Sequence, residues 1–453
     1  MVSPTASSPS PAARYLSLAC AVDARAPPSI GWRIMSSPRP ALAPLLCAPL
    51  ALLLAACGDD GAGGSETDTE TSGGTTAATT AATDATGTSG TTGDTTDPTA
   101  ATETEGGTDT GDDPSPFDGE PLPPGDPGEW IWVDFPEARC RDGSATGIGV
   151  RYGLEDKLVI FFEGGGACFN QISCLSNPSS YNASSFAGWK DGGGRGGIFN
   201  PDNPDNPVGE WSFVYVPYCT GDVHAGSRPD GTVAGAGGPQ QFVGYLNVEA
   251  FLERIYPTFK GADHVLVTGV SAGGFGAALN YARISDAFKG EVTLLDDSAP
   301  PMADMYLAPC LQKQWRDAWG LDDAIPAGCD ECFPADGGGL ANIVSYLGEA
   351  YPNQVHGLIS SEQDAVIRTF YGFGGNDCSA ILPNMSGAEY KAGLYDLRDT
   401  YLDAGGLWGS FITTGDAHTF IGGSSFYTLE VGGKLLVDWV QDLLVGDTAH
   451  VAP

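Results

Sequence analysis

His264-Val265-Leu266-Val267-Thr268 runs without a break into Gly269-Val270-Ser271-Ala272-Gly273, and apolar residues at helical spacing follow over 274–288. A five-residue run with no polar face reads as a strand buried on both sides of a sheet. Small residues on either side of Ser271 let the chain reverse sharply from strand to helix and leave the hydroxyl exposed above the sheet. The N-terminus of the helix that opens there favours negative charge. With 64 glycines in 453 residues, G-x-S-x-G alone would say little. The strand before it and the helix after it turn the pattern into a nucleophile elbow.

Runs of the same kind recur at 157–162 (KLVIFF), 211–216 (WSFVYV), 292–295 (VTLL) and 407–413 (LWGSFIT), and residues 248–259 and 435–443 carry helical spacing. Strands alternating with helices predict an α/β fold, α/β-hydrolase-like, with a mainly parallel sheet and helices on both faces. The catalytic unit is expected to cover residues 129–453.

A serine nucleophile needs a base and a carboxylate to orient it. Of five histidines, His450 lies in a polar tail, His264 starts the strand leading to the elbow, His224 precedes the serine, and His356 sits inside an apolar run. His418 follows the last strand and fits the order serine, acid, histidine. Asp364, shortly after Leu358-Ile359-Ser360-Ser361, is the preferred acid because the strand before the last usually delivers it. Asp297, at the end of VTLL, is its rival, and either could instead be a helix cap or make a loop hydrogen bond. The loop Glu163-Gly164-Gly165-Gly166-Ala167-Cys168 follows KLVIFF, and residues without a β-carbon let backbone N–H groups approach an oxyanion. Gly165 and Gly166, with the amide of Ala272, are the expected donors. The chemistry calls for no metal and no cofactor.

The net charge is −36, from 21 basic and 57 acidic residues. Such a chain repels phosphate backbones, so nucleic acid is excluded as a partner. The charge falls into three blocks: +3 over 1–57, −16 over 58–128 and −23 over 129–453. Residues 41–56 are apolar but number only sixteen and include two prolines, too short and broken for a membrane span. They read as a signal-peptide core, with residues 1–56 the signal region and the true start at Met35. Leu54-Ala55-Ala56-Cys57 resembles the bacterial lipobox, with Cys57 as the lipidated residue. Residues 58–128, rich in Thr, Gly, Ala, Asp and Glu, bury too little to fold. With Cys57 they form an expected tether, with a reach of about 45 Å. A protein exported to a bacterial cell envelope, monomeric and touching the membrane only through that lipid, is the expectation.

Cys140, Cys168, Cys174, Cys219, Cys310, Cys329, Cys332 and Cys378 remain in the catalytic region. An even number in an exported chain reads as up to four disulfides, with Cys168–Cys174 an attractive short loop. Cys329-Asp-Glu-Cys332 could be half a zinc site, but no second half accompanies it.

Glu163-Gly-Gly-Gly-Ala-Cys168, Pro217-Tyr218-Cys219-Thr-Gly221, Thr268-Gly-Val-Ser271-Ala-Gly-Gly274, Ser360-Ser-Glu-Gln-Asp364 and the His418 loop together resemble the pectin acetylesterase family, which includes the animal notum carboxylesterase. The resemblance covers most of 129–453, and the chain looks like a bacterial lipoprotein form of that family. It implies metal-free hydrolysis of carboxylic esters by Ser271, Asp364 and His418. A tryptophan often precedes the cysteine of the family's glycine loop; Ala167 stands there here. The substrate expected first is an acetylated polysaccharide. A block at −23 should repel polyanionic pectin, so neutral glycans or a small ester suit the charge better. A lipase-like enzyme with a wider pocket is the alternative, and a catalytically silent glycan- or partner-binding protein on the same scaffold is the non-enzyme alternative.

Overall fold

The computed structural model describes residues 117–380 and 382–453. The signal region, Met35, Cys57 and most of the expected tether lie outside the described residues. Among the described residues there are thirteen strands: β1 (Trp130–Arg139), β2 (Ala145–Arg151), β3 (Lys157–Phe162), β4 (Ser212–Val216), β5 (Arg228–Gly231), β6 (Gln240–Phe242), β7 (His264–Val270), β8 (Glu291–Asp297), β9 (Val355–Ser361), β10 (Leu407–Thr413), β11 (Glu430–Val431), β12 (Lys434–Leu435) and β13 (His450–Val451). Nine of them form one sheet in the order β1-β2-β4-β3-β7-β8-β9-β10-β13, and β5–β6 and β11–β12 are small separate pairs. From β4 to β13 the sheet is parallel, and β2 and β1 add antiparallel strands at one edge.

The side chains of KLVIFF explain why that run lacks a polar face. Leu158, Ile160 and Phe162 enter a core layer shared with the helices Gly244–Phe259 and Ala272–Ala287, while Val159 and Phe161 enter the layer shared with the helix Leu436–Leu443. Alternation along a strand sends successive side chains to opposite faces, so a strand covered by helices on both sides must be apolar throughout. The fold is α/β-hydrolase-like, a mainly parallel sheet with helices on both faces, and it is disulfide-bonded.

The eight cysteines pair as Cys140–Cys219, Cys168–Cys174, Cys310–Cys378 and Cys329–Cys332. Cys329 and Cys332 are therefore bonded to each other, not poised around a metal. Residues 117–128, counted with the tether in the sequence, pack on the helix Gly244–Phe259. Phe117 and Leu122 are buried, and the Leu122 N–H donates to Thr258 Oγ1 at 2.7 Å. Among the described residues no helix is long and apolar enough to cross a membrane.

Candidate active site

β7, β8, β9 and β10 are neighbours in that order, and the chain segments leaving them carry the candidate residues at one end of the sheet. Ser271 follows β7 and precedes the helix Ala272–Ala287, with φ 56° and ψ −123°. A side chain at positive φ is strained, and the tight turn holds it there because neighbouring residues lack bulk. A β-carbon at Gly273 would collide with the Phe162 carbonyl oxygen. The Ser271 N–H donates to the Asp297 carbonyl oxygen at 2.8 Å, which fixes the elbow to the end of β8.

Asp364 and His418 meet because the β9–β10 ladder continues beyond its last pair, Ser361 opposite Thr413. The N–H groups of Glu362, Gln363 and Ala365 donate to the carbonyl oxygens of Thr413, Gly415 and Asp416. Ser361 Oγ donates to Ala417 O at 2.6 Å. The two loops thus leave the sheet as a zipped pair. Asp364 is fully buried. Its Oδ1 accepts from the N–H groups of Val366 and Ile367, both at 2.9 Å, and its Oδ2 lies 2.7 Å from His418 Nδ1. That contact assigns the Nδ1 proton to the carboxylate side and leaves Nε2 to face the reaction. Nε2 is buried and has no hydrogen-bond partner among the described residues, so the serine–imidazole hydrogen bond is not formed here. Such bonds often close only around substrate.

Asp297 does something else. Its Oδ2 accepts from the N–H groups of Phe420 and Ile421 at 2.7 and 2.8 Å, and its Oδ1 accepts from Ser298 Oγ at 2.8 Å. Ser298 Oγ in turn accepts from the Thr419 N–H at 3.1 Å. Asp297 therefore ties the loop just beyond His418 to the strand end that also holds the Ser271 backbone. Burial pushes its carboxyl up to about 6, against the pull of those N–H donors. The adjacent Asp296, buried beside it, is raised further by burial and by the charge of Asp297.

A cleft opens beside the serine. Gly166, Ala167, Ser271 and Ala272 line its reactive end; Gly165, the other expected donor, does not. Its walls are apolar: Phe275 and Leu279 from the nucleophile helix, Trp315 and Trp319 from the helix Pro309–Trp319, Leu321 and Leu340 beyond it, and Ile367, Phe370 and Tyr371 from a short helix after the acid. Val223, after β4, completes it. The Trp315 and Trp319 rings stack with centroids 5.7 Å apart. Trp315 and Trp319 stand four apart on one helix, and that spacing was the available signal for them in the sequence. His224, His264 and His356 are buried, and burial pushes them down to about 4, 4 and 3. Among the described residues no cluster of His, Cys, Asp and Glu could hold a metal ion.

Residues 133–300 match a family model described as Pectinacetylesterase. The chain is 29% identical over 218 residues to the palmitoleoyl-protein carboxylesterase NOTUM of Drosophila melanogaster, 44% of this chain and 32% of that protein. It is 31% identical over 158 residues to the planarian protein of the same name (Schmidtea mediterranea), 33% of this chain and 29% of the relative. The human protein is 30% identical over 153 residues, 32% and 30% of the two chains. These matches span about a third of the relatives' length. The crystal structure of the Wnt deacylase Notum from Drosophila superposes with a TM-score of 0.50 at 18% identity, covering 71% of this chain and 95% of the other. The chain thus has a serine-hydrolase scaffold like that of pectinacetylesterases and notum carboxylesterases.

The relatives correct one group of expectations. A bacterial lipoprotein form, held in a cell envelope by a lipid on Cys57, is not what the chain resembles. The similar proteins named here are animal carboxylesterases, not bacterial lipoproteins. The lipid anchor as a membrane partner and the bacterial envelope as location are withdrawn with it. The lipobox likeness rested on four residues, well before the matched residues 133–300.

Proposed function

We propose that the protein is a serine carboxylesterase that cleaves esters of long apolar acyl chains, the wider-pocket alternative among the readings of its sequence. The observation that carries this is the cleft beside Ser271. Beyond the reactive end its lining is apolar, with Phe275, Leu279, Trp315, Ile367 and Phe370, a surface that a chain longer than acetyl can cover. A longer chain gains about 0.8 kcal/mol for each methylene it buries, which favours a fatty acyl group over acetyl. Relatives described as palmitoleoyl-protein carboxylesterases support the same class.

In this reading Ser271 Oγ attacks the ester carbonyl while His418 Nε2 takes its proton and Asp364 holds the imidazole through Nδ1. The tetrahedral oxyanion forms between the glycine loop and the Ala272 amide. His418 then returns the proton to the departing alcohol, and water, activated by the same imidazole, releases the fatty acid and regenerates Ser271. No step requires a metal.

The test is a p-nitrophenyl ester series from acetate to palmitate. kcat/KM is expected to rise at least tenfold from acetate to the medium and long chains, on the order of two buried methylenes, and to vanish in Ser271→Ala. A preference for acetate would return the protein to acetylated glycans. Turnover surviving in Ser271→Ala would remove the serine mechanism.

A further inference from the structure

The resemblance motif Pro217-Tyr218-Cys219 has no part in the chemistry above, yet it packs directly behind the glycine loop. Gly165 O accepts from Asn177 Nδ2 at 2.7 Å, and Gly166 O accepts from the Tyr218 hydroxyl at 2.8 Å. The Gly165–Gly166 and Gly166–Ala167 peptides are trans, and in a planar trans peptide the C=O and N–H point in opposite directions. Drawing both carbonyls backward therefore aims the Gly166 and Ala167 N–H groups forward. Both residues line the cleft next to Ser271 and Ala272. We infer that Tyr218 and Asn177 are positioning residues that set the oxyanion donors, and that those donors are the amides of Gly166, Ala167 and Ala272.

The holders are themselves held. The Tyr218 hydroxyl accepts from the Val223 N–H at 2.9 Å, so its own proton is committed to Gly166 O, and the Tyr218 N–H donates to Glu163 Oε2 at 2.8 Å. Burial keeps the phenol protonated, well above its ordinary range. The Tyr218 ring lies against the α-carbon of Gly165, where a β-carbon would meet it at 2.5 Å. That contact excludes any other residue there. Behind Asn177 stands the buried guanidinium of Arg141, which donates to Asn177 O at 2.7 Å and Cys174 O at 3.2 Å. Its other end donates to Gln240 Oε1 at 2.7 Å. Among the described residues no carboxylate pairs with it at salt-bridge distance, so a full positive charge is used to fix the segment that carries Asn177. Cys140–Cys219 and Cys168–Cys174 pin residues adjoining Arg141, Tyr218 and the loop.

The inference rests on the esterase reading, and its test separates the two. Tyr218→Phe keeps the ring on Gly165 and removes only the hydroxyl; Asn177→Ala removes the other donor and serves if the first variant folds poorly. With p-nitrophenyl octanoate, each is expected to lower kcat about 10- to 100-fold, the range for displaced rather than deleted oxyanion donors, with KM within twofold. The Ki of an octyl trifluoromethyl ketone, which forms an oxyanion on Ser271, should rise by the same factor as kcat falls. Unchanged kcat in a folded variant, or a fall in kcat with the ketone Ki unmoved, would overturn the positioning role and leave the esterase reading intact. Absence of Ser271-dependent hydrolysis in the unsubstituted protein would overturn both.

Discussion

Ser271 and His356 illustrate two ways in which a single position is costly and kept. At Ser271 the cost is backbone strain, of order 1–3 kcal/mol for a non-glycine residue at such angles, and the surrounding glycines make the strained turn the only one that fits. At His356 the cost is burial. The ring is stacked on Trp408 with centroids 4.8 Å apart and abuts Tyr281 at 5.0 Å. Desolvation pushes it down to about 3. The folded protein therefore keeps this ring neutral at pH values where the unfolded chain, near 6.5, takes up a proton. The sign follows: stability is full above pH 6.5 and is lost as pH falls from there toward 3. Between pH 6.5 and 4.5 this one group accounts for about 2 kcal/mol. His356→Phe should keep the aromatic packing and remove that dependence. Urea melts at pH 7 and 4.5 should differ less in the variant than in the parent, and an equal difference would assign the acid loss to other groups. The strained serine was legible in the sequence because strain demands glycine and glycine is visible. The burial of His356 was visible only as an apolar run around it.

At the level of elements, the division of labour is between the sheet and what is inserted into it. Strands buried on both faces announced themselves: β3 and β10 begin and end where their apolar runs do. β1 and β2 did not, since β1 alternates buried and exposed residues at the sheet edge and carries charge. The acid and the histidine could be ranked by chain order because a parallel sheet delivers its loops to one end. Order alone left Asp297 open, and only the hydrogen bonds separate an imidazole partner from a loop fastener. The cleft walls were the least legible part, because Trp315, Trp319, Leu321 and Leu340 come from the segment between β8 and β9 and Ile367, Phe370 and Tyr371 from the helix after Asp364, stretches that carry no motif. Phe275 and Leu279 on the nucleophile helix and Trp315 and Trp319 on the inserted one line the same cleft. Leu279→Trp should narrow it. The ratio of palmitate to acetate kcat/KM is expected to fall at least tenfold, about the worth of two methylenes. An unchanged ratio would place the acyl chain elsewhere.

For the molecule as a whole, charge and cross-links say what holds the domain together. With −23 on residues 129–453, self-repulsion works against the compact state, and the apolar cleft needs no charged substrate to explain it. The four disulfides oppose that repulsion unequally. Cys140–Cys219 closes 79 residues, Cys310–Cys378 closes 68, and Cys329–Cys332 only 3. If a cross-link acts by restricting the unfolded chain, the first two contribute about 4.5 kcal/mol each and the last under about 2 kcal/mol. Cys310–Cys378 also joins the helix bearing Trp315 and Trp319 to the segment following Phe370 and Tyr371, so it should matter to the cleft as well as to stability. Replacing both cysteines by alanine in each pair, and measuring thermal unfolding with octanoate and acetate turnover, separates these effects. The 140/219 and 310/378 variants should lose comparable stability, each well beyond the 329/332 variant, and the 310/378 variant should lose octanoate activity more than acetate activity. Equal melting temperatures across the three would show that the cross-links act on the folded state; an unchanged octanoate-to-acetate ratio would free the cleft from the second bridge.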